Sequence, residues 1–482
     1  MPILPLLEKQ YFINAGKDGT FADSGQVHTT PADVDDIFTY LNDKDIEKLV
    51  IYFHGGLVSE SSGMTEAALM KTTFAAPADK RHVVSFVWET GPLETIAQNV
   101  DQLRNLAGKE LFNEALKFVI KLVAKRLGLQ DAKGGGGVYL SDETIQVEKK
   151  SVVPFENLDK VVNAKGGGFP ELETPRDEAV LKANLAIESK GLIEGEGSEE
   201  LKNASAPEAG DQAGAKGFIS IAITIGEIAF SVLKRYYNKT HHDFYPTIME
   251  EAFKKLSLGT IGTWGWGAMK TKAEAMFADN TGLAGDDLHA GTYFMDALNK
   301  HYASRTAAGK TFDIDLIGHS AGSIVICSLL AATTTNFTGL KYKNIFFLAP
   351  ACRTDYFLAK GKPAIDAGFV DKFKMFTMKE ENEKKDHCIP FIYTHSLLYM
   401  VSGLFENPDV DAKIMGLHEQ FKADGRYAAF PELVALKAFI DANKLVLSDD
   451  KTNPDLSMRS NSFKHGDFDN DVFTLTSILN SI

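Results

Sequence analysis

Asp313-Ile314-Asp315-Leu316-Ile317 runs straight into Gly318-His319-Ser320-Ala321-Gly322, and Ser323 to Ala332 continues as an apolar run of helical character. The first five residues read as a buried strand and the last ten as a helix. The joint between them is a G-x-S-x-G pattern. By itself it is weak evidence, since chance gives about 0.2 such matches in a chain of this length at average composition. Its setting is what counts. A serine between a strand and a helix has to take a strained turn, and the flanking glycines leave room for the two elements to cross. The positive end of the following helix then points at the serine, where it helps to hold an oxyanion.

Upstream, Thr30-Pro31 reads as a helix cap with proline in the first turn, opening an amphipathic run from Pro31 to Leu41. Lys48 to Phe53 is a β-branched and aromatic run of the kind buried in a parallel sheet, and it stops at His54-Gly55-Gly56. A helical stretch containing Thr65 to Thr72 leads to a second such run, His82 to Trp88. Strand, helix, strand at this spacing is a right-handed crossover unit. Downstream of the serine, Asn344 to Leu348 and Phe373 to Met378 read as strands, and Phe473 to Leu479 as a closing helix. The pattern is α/β in two stretches, residues 1–95 and 301–482.

Residues 96–300 differ in character and read as a helical insertion, a cap or lid. Leu111–Leu127, Phe218–Tyr237, Thr247–Leu256 and Asp286–Tyr302 have helical patterns. Gly134 to Gly137 is a glycine run that no packed element tolerates well. Residues 185–217, rich in Gly, Glu, Ala and Ser, read as a mobile loop. The apolar part of Phe218–Tyr237 is interrupted by Glu227 and closed by Lys234-Arg235, so it is expected as a buried or interfacial helix and not as a membrane span. Within the insertion, His241-His242-Asp243 has no matching second cluster and reads as a polar loop, so no metal or cofactor is expected. Trp264-Gly265-Trp266, near Met269, reads as a packing or lid contact that could also line an acyl pocket.

The 482 residues are 44% hydrophobic and 24% charged, which is enough for a large core and excludes global disorder. A formal charge of −14 argues against nucleic acid as a partner. Three scattered cysteines, Cys327, Cys352 and Cys388, make neither a disulfide framework nor a zinc site and read as the reduced thiols of a cytoplasmic protein. Met1 to Pro5 lacks the basic start and apolar run of a secretory signal.

A serine hydroxyl is a poor nucleophile near neutral pH and needs a base, itself oriented by a carboxylate. The strand–GHSAG–helix joint and the flanking strands resemble the α/β-hydrolase superfamily over residues 48–100 and 305–482. The resemblance implies a doubly wound, mostly parallel sheet with Ser320 as nucleophile, flanked at its elbow by Gly318, His319 and Gly322. It also implies the chain order serine, acid, histidine. The acid is then expected after the Phe373–Met378 strand, where Asp386-His387-Cys388-Ile389-Pro390 is similar to the D-x-x-[IV]-P stretch that often holds it. Glu381 and Glu380 are the alternatives, and Glu383 reads as part of a solvated loop. His465, in a glycine-bearing loop before the closing helix, fits the base; His395 and His418 are rivals placed in expected helices. Tyr52-Phe53-His54-Gly55-Gly56-Leu57 resembles the start of an esterase oxyanion loop, so Gly55, Gly56 and Ala321 are the expected oxyanion donors. His54 is expected to brace that loop, and Trp88-Glu89 to shape the pocket or pack beside it.

These observations imply a serine hydrolase that cleaves a carboxylic ester, esterase- or lipase-like, with a small ester or acyl substrate and an insertion able to make interfacial contact. The same residues would serve an amidase, peptidase or thioesterase. A non-catalytic partner-binding protein that keeps the fold is the reading from a different class.

Overall fold

The computed structural model describes residues 7–482 apart from residues 24, 57, 89–109, 130–139, 165–173, 197–210, 256–257, 407–410, 423–425 and 441–442. Its centre is a seven-stranded sheet: β1 (Phe12–Ala15), β2 (Lys48–Phe53), β3 (Arg81–Trp88), β4 (Asp313–His319), β5 (Tyr342–Leu348), β6 (Val370–Thr377) and β7 (Leu445–Leu447). The spatial order is β1-β3-β2-β4-β5-β6-β7, and every pair is parallel. Strands β2 to β5 are buried almost throughout, as expected where helices cover both faces of a parallel sheet. Ile51, Val84, Leu316 and Phe347, all fully buried, illustrate why these runs are continuous in apolar residues and do not alternate.

The order contains one reversal. From β2 the chain moves to β3 on one side, then crosses back over β2 to place β4 on the other. In parallel α/β sheets such a switch point leaves a crevice at the carboxyl ends of the two strands. Phe53 of β2 is paired with Gly318 of β4, so the residues that follow, His54-Gly55-Gly56 and His319-Ser320, leave the sheet side by side. The two sequence motifs are thereby brought to one point.

Local signals account for the flanking helices. Thr30 and Asp33 form a reciprocal capping box ahead of the helix Pro31–Asp43, with proline in its first turn. Ser59 caps Glu60–Phe74, the crossover from β2 to β3, and Asp471 caps Val472–Leu479 at the end of the chain. Gly322–Asn336 carries the chain from β4 to β5 and is buried along most of its length.

By internal contacts the chain forms two compact units: Met1–Glu94, Trp264–Glu383 and Ala412–Ile482 in the first, Thr95–Thr263 and Lys384–Asp411 in the second. This division differs from the 96–300 insertion read from the sequence. Residues 264–300 belong with the sheet, and a distant segment, 384–411, joins the helical unit. The second unit includes the helices Glu110–Arg126, Pro175–Glu196, Asp211–Tyr237 and Phe244–Lys255. The expected loop 185–217 is helical over its first twelve residues and again from Asp211; its middle, like Gly134 to Gly137, lies outside the described residues. Its small residues serve helix packing: a Cβ on Gly226 would stand 3.0 Å from Ala186, and Ser189 donates to the carbonyl of Ala222 at 2.6 Å. Glu227, which interrupts the apolar run, is met by Lys182 and Lys255. Among the described residues no helix is long and apolar enough to cross a membrane.

Candidate active site

Ser320 stands between β4 and the helix Gly322–Asn336 with φ of 50°, a left-handed conformation that costs a non-glycine residue of order 1 kcal/mol or more. The turn is held from several sides. The Ser320 N–H donates to Leu348 O at 2.8 Å, its carbonyl accepts from Ala351 N at 3.0 Å, and the Ser323 hydroxyl donates to the same carbonyl at 2.6 Å. The glycines are required by close approach: a Cβ on Gly322 would run into the carbonyl oxygen of Phe53, and one on Gly318 would lie 2.9 Å from the Gly322 backbone. Strand and helix cross here with no space for a side chain.

His465 meets the serine. It lies in the short turn His465–Asp467 before the closing helix, and its Nε2 is 2.8 Å from Ser320 Oγ. Both residues are buried. Burial and the charge of His319 push His465 down to about 3, against an opposing pull from Asp469. The ring is therefore neutral near pH 7, with Nε2 facing the serine hydroxyl.

Behind this pair lies a polar array that the sequence did not announce. His319, buried beside the His465 ring at 5.5 Å between centroids, faces Asp469 Oδ2 through Nδ1 at 3.0 Å and the carbonyl oxygen of His465 through Nε2 at 2.9 Å. The Tyr52 hydroxyl donates to Asp469 at 2.9 Å and stands 3.4 Å from Glu66. Burial alone would lower His319, but the Asp469 charge and the hydrogen bonds raise it to about 9. Burial would raise Asp469, yet His319 and Tyr52 hold it below the usual carboxylate range. Glu66 is pushed up to about 7 by burial and by the Asp469 charge. Tyr52 and His319 were legible as strand and elbow residues; Asp469 and Glu66 carried no pattern of their own.

The loop after β2 packs on the elbow. A Cβ on Gly55 would lie 3.3 Å from Ser320 Cβ, and one on Gly56 would lie 3.1 Å from Ala321 Cβ and against the Met269 sulfur. His54 braces this loop: Nδ1 donates to Gly55 O at 2.6 Å, Nε2 accepts from Trp88 N at 3.1 Å, and the Trp88 indole donates back to His54 O at 3.3 Å. Burial lowers His54 to about 4, consistent with this neutral tautomer. C=O and N–H of a trans peptide point opposite ways, so fixing the Gly55 carbonyl on His54 turns the Gly56 N–H away from that ring. Leu57 and Glu89 lie outside the described residues. A cavity of about 360 Å³ opens beside the first turn of the helix Gly322–Asn336, lined by residues that include Lys270, Thr271, Glu274, Ile324, Arg353 and Tyr356.

Two of the acidic residues expected after β6 belong to the sheet unit and have settings of their own. Glu380 opens the short helix Glu380–Glu383 and pairs with Lys422, while Glu381 on that helix is exposed. Glu383 is buried, not solvated. Asp386 belongs to the second unit, whereas Ser320 and His465 belong to the first. The carboxylate of the first unit whose charge acts on His465 is Asp469. Asp469 follows His465 by four residues, whereas the resemblance implied an acid that precedes the histidine. The rival bases are also placed: His395 precedes the helix Leu397–Met400 and faces Asp243 at 3.3 Å, and His418 starts a short helix.

His241-His242-Asp243 is a polar loop, as expected, but a buried one. His242 faces Glu250 at 3.0 Å and Asp411 at 3.1 Å, Arg235 pairs with Glu250 and with Glu251 at 3.2 Å, and Asp243 takes Lys384 at 2.8 Å. These pairs tie 384–411 to the rest of the helical unit. Among the described residues no group of histidine, cysteine and acidic side chains is arranged to hold a metal ion. Compared with protein-family models, with curated proteins and with solved structures, the chain matches none of them.

Proposed function

We propose that this chain is a serine hydrolase of the α/β-hydrolase type that cleaves carboxylic esters. The observation that carries the reading is the 2.8 Å contact between Ser320 Oγ and a neutral His465, at a strained strand–helix turn on the sheet's switch point. Ser320 attacks the ester carbonyl carbon while its proton passes to His465 Nε2, and the carbonyl electron pair becomes the oxyanion. The N–H groups of Ala321 and Gly56 hold that oxyanion, as strand order and the turned Gly55–Gly56 peptide support. His465 returns its proton to the leaving alcohol. Water, deprotonated by His465, then releases the acyl group. Asp469 supplies the negative charge that stabilises the His465 imidazolium formed in between.

The cavity beside the nucleophile helix carries Lys270, Glu274 and Arg353, which favours a short or polar substituent over a long apolar chain. A chain-length series of nitrophenyl esters with matched anilides, on wild type and Ser320→Ala, tests this. The expected result is hydrolysis of short esters that falls at least about 10³-fold in Ser320→Ala. Equal rates for the two proteins, or faster anilide cleavage, would overturn it.

A further inference from the structure

His319 fills the variable position before the nucleophile, where a side chain of any kind could in principle stand. Its two ring nitrogens lie 3.0 Å from Asp469 Oδ2 and 2.9 Å from the carbonyl oxygen of His465. A carbonyl oxygen only accepts, and Asp469, which also takes the Tyr52 hydroxyl, accepts as the carboxylate. Nε2 therefore donates to that carbonyl, and Nδ1 stands at ion-pair distance from the carboxylate, a setting that suits a protonated nitrogen and opposes a lone pair. A ring protonated at both nitrogens carries a full positive charge.

We propose that His319 is a positioning residue, charged at neutral pH, for the Ser320–His465 pair: it clamps the His465 main chain through its carbonyl, and its charge beside that ring opposes protonation of the base. The inference rests on the hydrolase reading of Ser320 and His465. The groups facing His319 are Asp469 from the loop before the closing helix, Glu66 from the helix Glu60–Phe74, His54 from the loop after β2 and His465 itself. The directions agree: His319 is raised to about 9, and His465 is lowered to about 3 with His319 as the second cause after burial. When His465 takes the serine proton, two imidazolium rings lie 5.5 Å apart, and Asp469 and Glu66 are the carboxyl groups placed to balance them.

The test compares kcat/KM against pH for wild type and His319→Gln on the best nitrophenyl ester. Glutamine can donate from one amide nitrogen but carries no charge. Wild type is expected to change less than about twofold between pH 8 and pH 5. The variant, whose base is still held down by burial, is expected to lose more than about twofold over that interval because its acid limb moves to higher pH. A lost hydrogen bond alone would lower the whole profile without moving its acid limb. Coincident limbs in the two proteins, or a wild-type limb already near 6.5, overturn the proposal.

A second measurement does not depend on activity or on the variant folding. In protein carrying ¹³C at histidine Cε1, the His319 ring, assigned through its proximity to the His465 ring, is expected to stay protonated at pH 8. A neutral His319 ring at pH 8 would overturn the charge on His319. If wild type is not labelled at Ser320 by a fluorophosphonate while that resonance is present, the hydrolase reading has failed and the charged histidine stands.

Discussion

Ser320 and His465 lie 145 residues apart in the chain and 2.8 Å apart in space. Two elements make that meeting possible. The β2/β4 switch point puts Ser320 at the carboxyl end of the sheet, and the turn His465–Asp467 is anchored on the elbow by the bond from His319 to the His465 carbonyl. The array behind them, His319, Asp469, Tyr52 and Glu66, draws one residue or more from β2, the helix after it, β4 and the C-terminal loop. A site built this way is held by the sheet and not by one flexible segment.

Asp469, and not Asp386, is expected to support His465. Asp469→Asn should lower kcat by about 10²- to 10⁴-fold with little change in KM, since the charge is needed when His465 becomes an imidazolium. Asp386→Asn should leave kcat within about threefold. Steady-state kinetics on both variants checks this, and the opposite ranking would return the acid to the segment after β6.

The elbow glycines should be intolerant. In Gly322→Ala the new methyl meets the Phe53 carbonyl oxygen, which belongs to the β2 backbone and has no flexible end to move. Overpacking of this kind costs about 1–3 kcal/mol, and the upper half of that range is expected here. Urea denaturation with an unchanged m-value is the measurement.

Met269 packs against Gly56, close to Ala321, and is itself buried. Met269→Ala should raise kcat/KM on small esters by about threefold or more by uncovering the oxyanion donors. It should also cost about 2 kcal/mol or more in stability. Met269→Leu, of similar volume, is the control and should change neither much.

Stability should peak near pH 6.5. His54, His82 and His301 are lowered to about 4, and His465 to about 3, with burial the first cause of each. Below their ordinary value of 6.5 the unfolded chain takes up protons that the native rings refuse, so stability falls as pH drops from 6.5 toward 4. Asp315 and Glu66, raised to about 6 and about 7, work the other way over part of that range but are fewer. His319, raised to about 9, contributes stability that is complete below 6.5 and lost as pH rises through 9. Chemical denaturation from pH 4 to pH 9.5 should give a maximum between the two limbs, and His319→Gln should flatten the alkaline one.

The central strands were legible because each is a continuous buried run: Lys48–Phe53 was bounded to the residue. The edge strands β1 and β7, four and three residues long, are too short for any periodicity to show. The helix Pro175–Glu196 was missed because its small residues and glycines read as loop, while in the structure they let the helix Asp211–Tyr237 approach closely. At the site, the joint at Ser320, the loop at Gly55-Gly56 and His465, the proposed base, each carried a local pattern, and these are the residues that the fold brings together. The acid did not. A lone aspartate before a capped helix looks the same whether it faces solvent or a buried histidine, and only the fold places Asp469 against His319 and Tyr52.

Labelling with a fluorophosphonate, read by intact mass on wild type and Ser320→Ala, tests the central claim most directly. One adduct on wild type and none on Ser320→Ala is the predicted result, since only a serine whose proton His465 can take reacts at that rate. Folded wild type that remains unlabelled, or equal labelling of both proteins, would contradict a Ser320–His465 hydrolase.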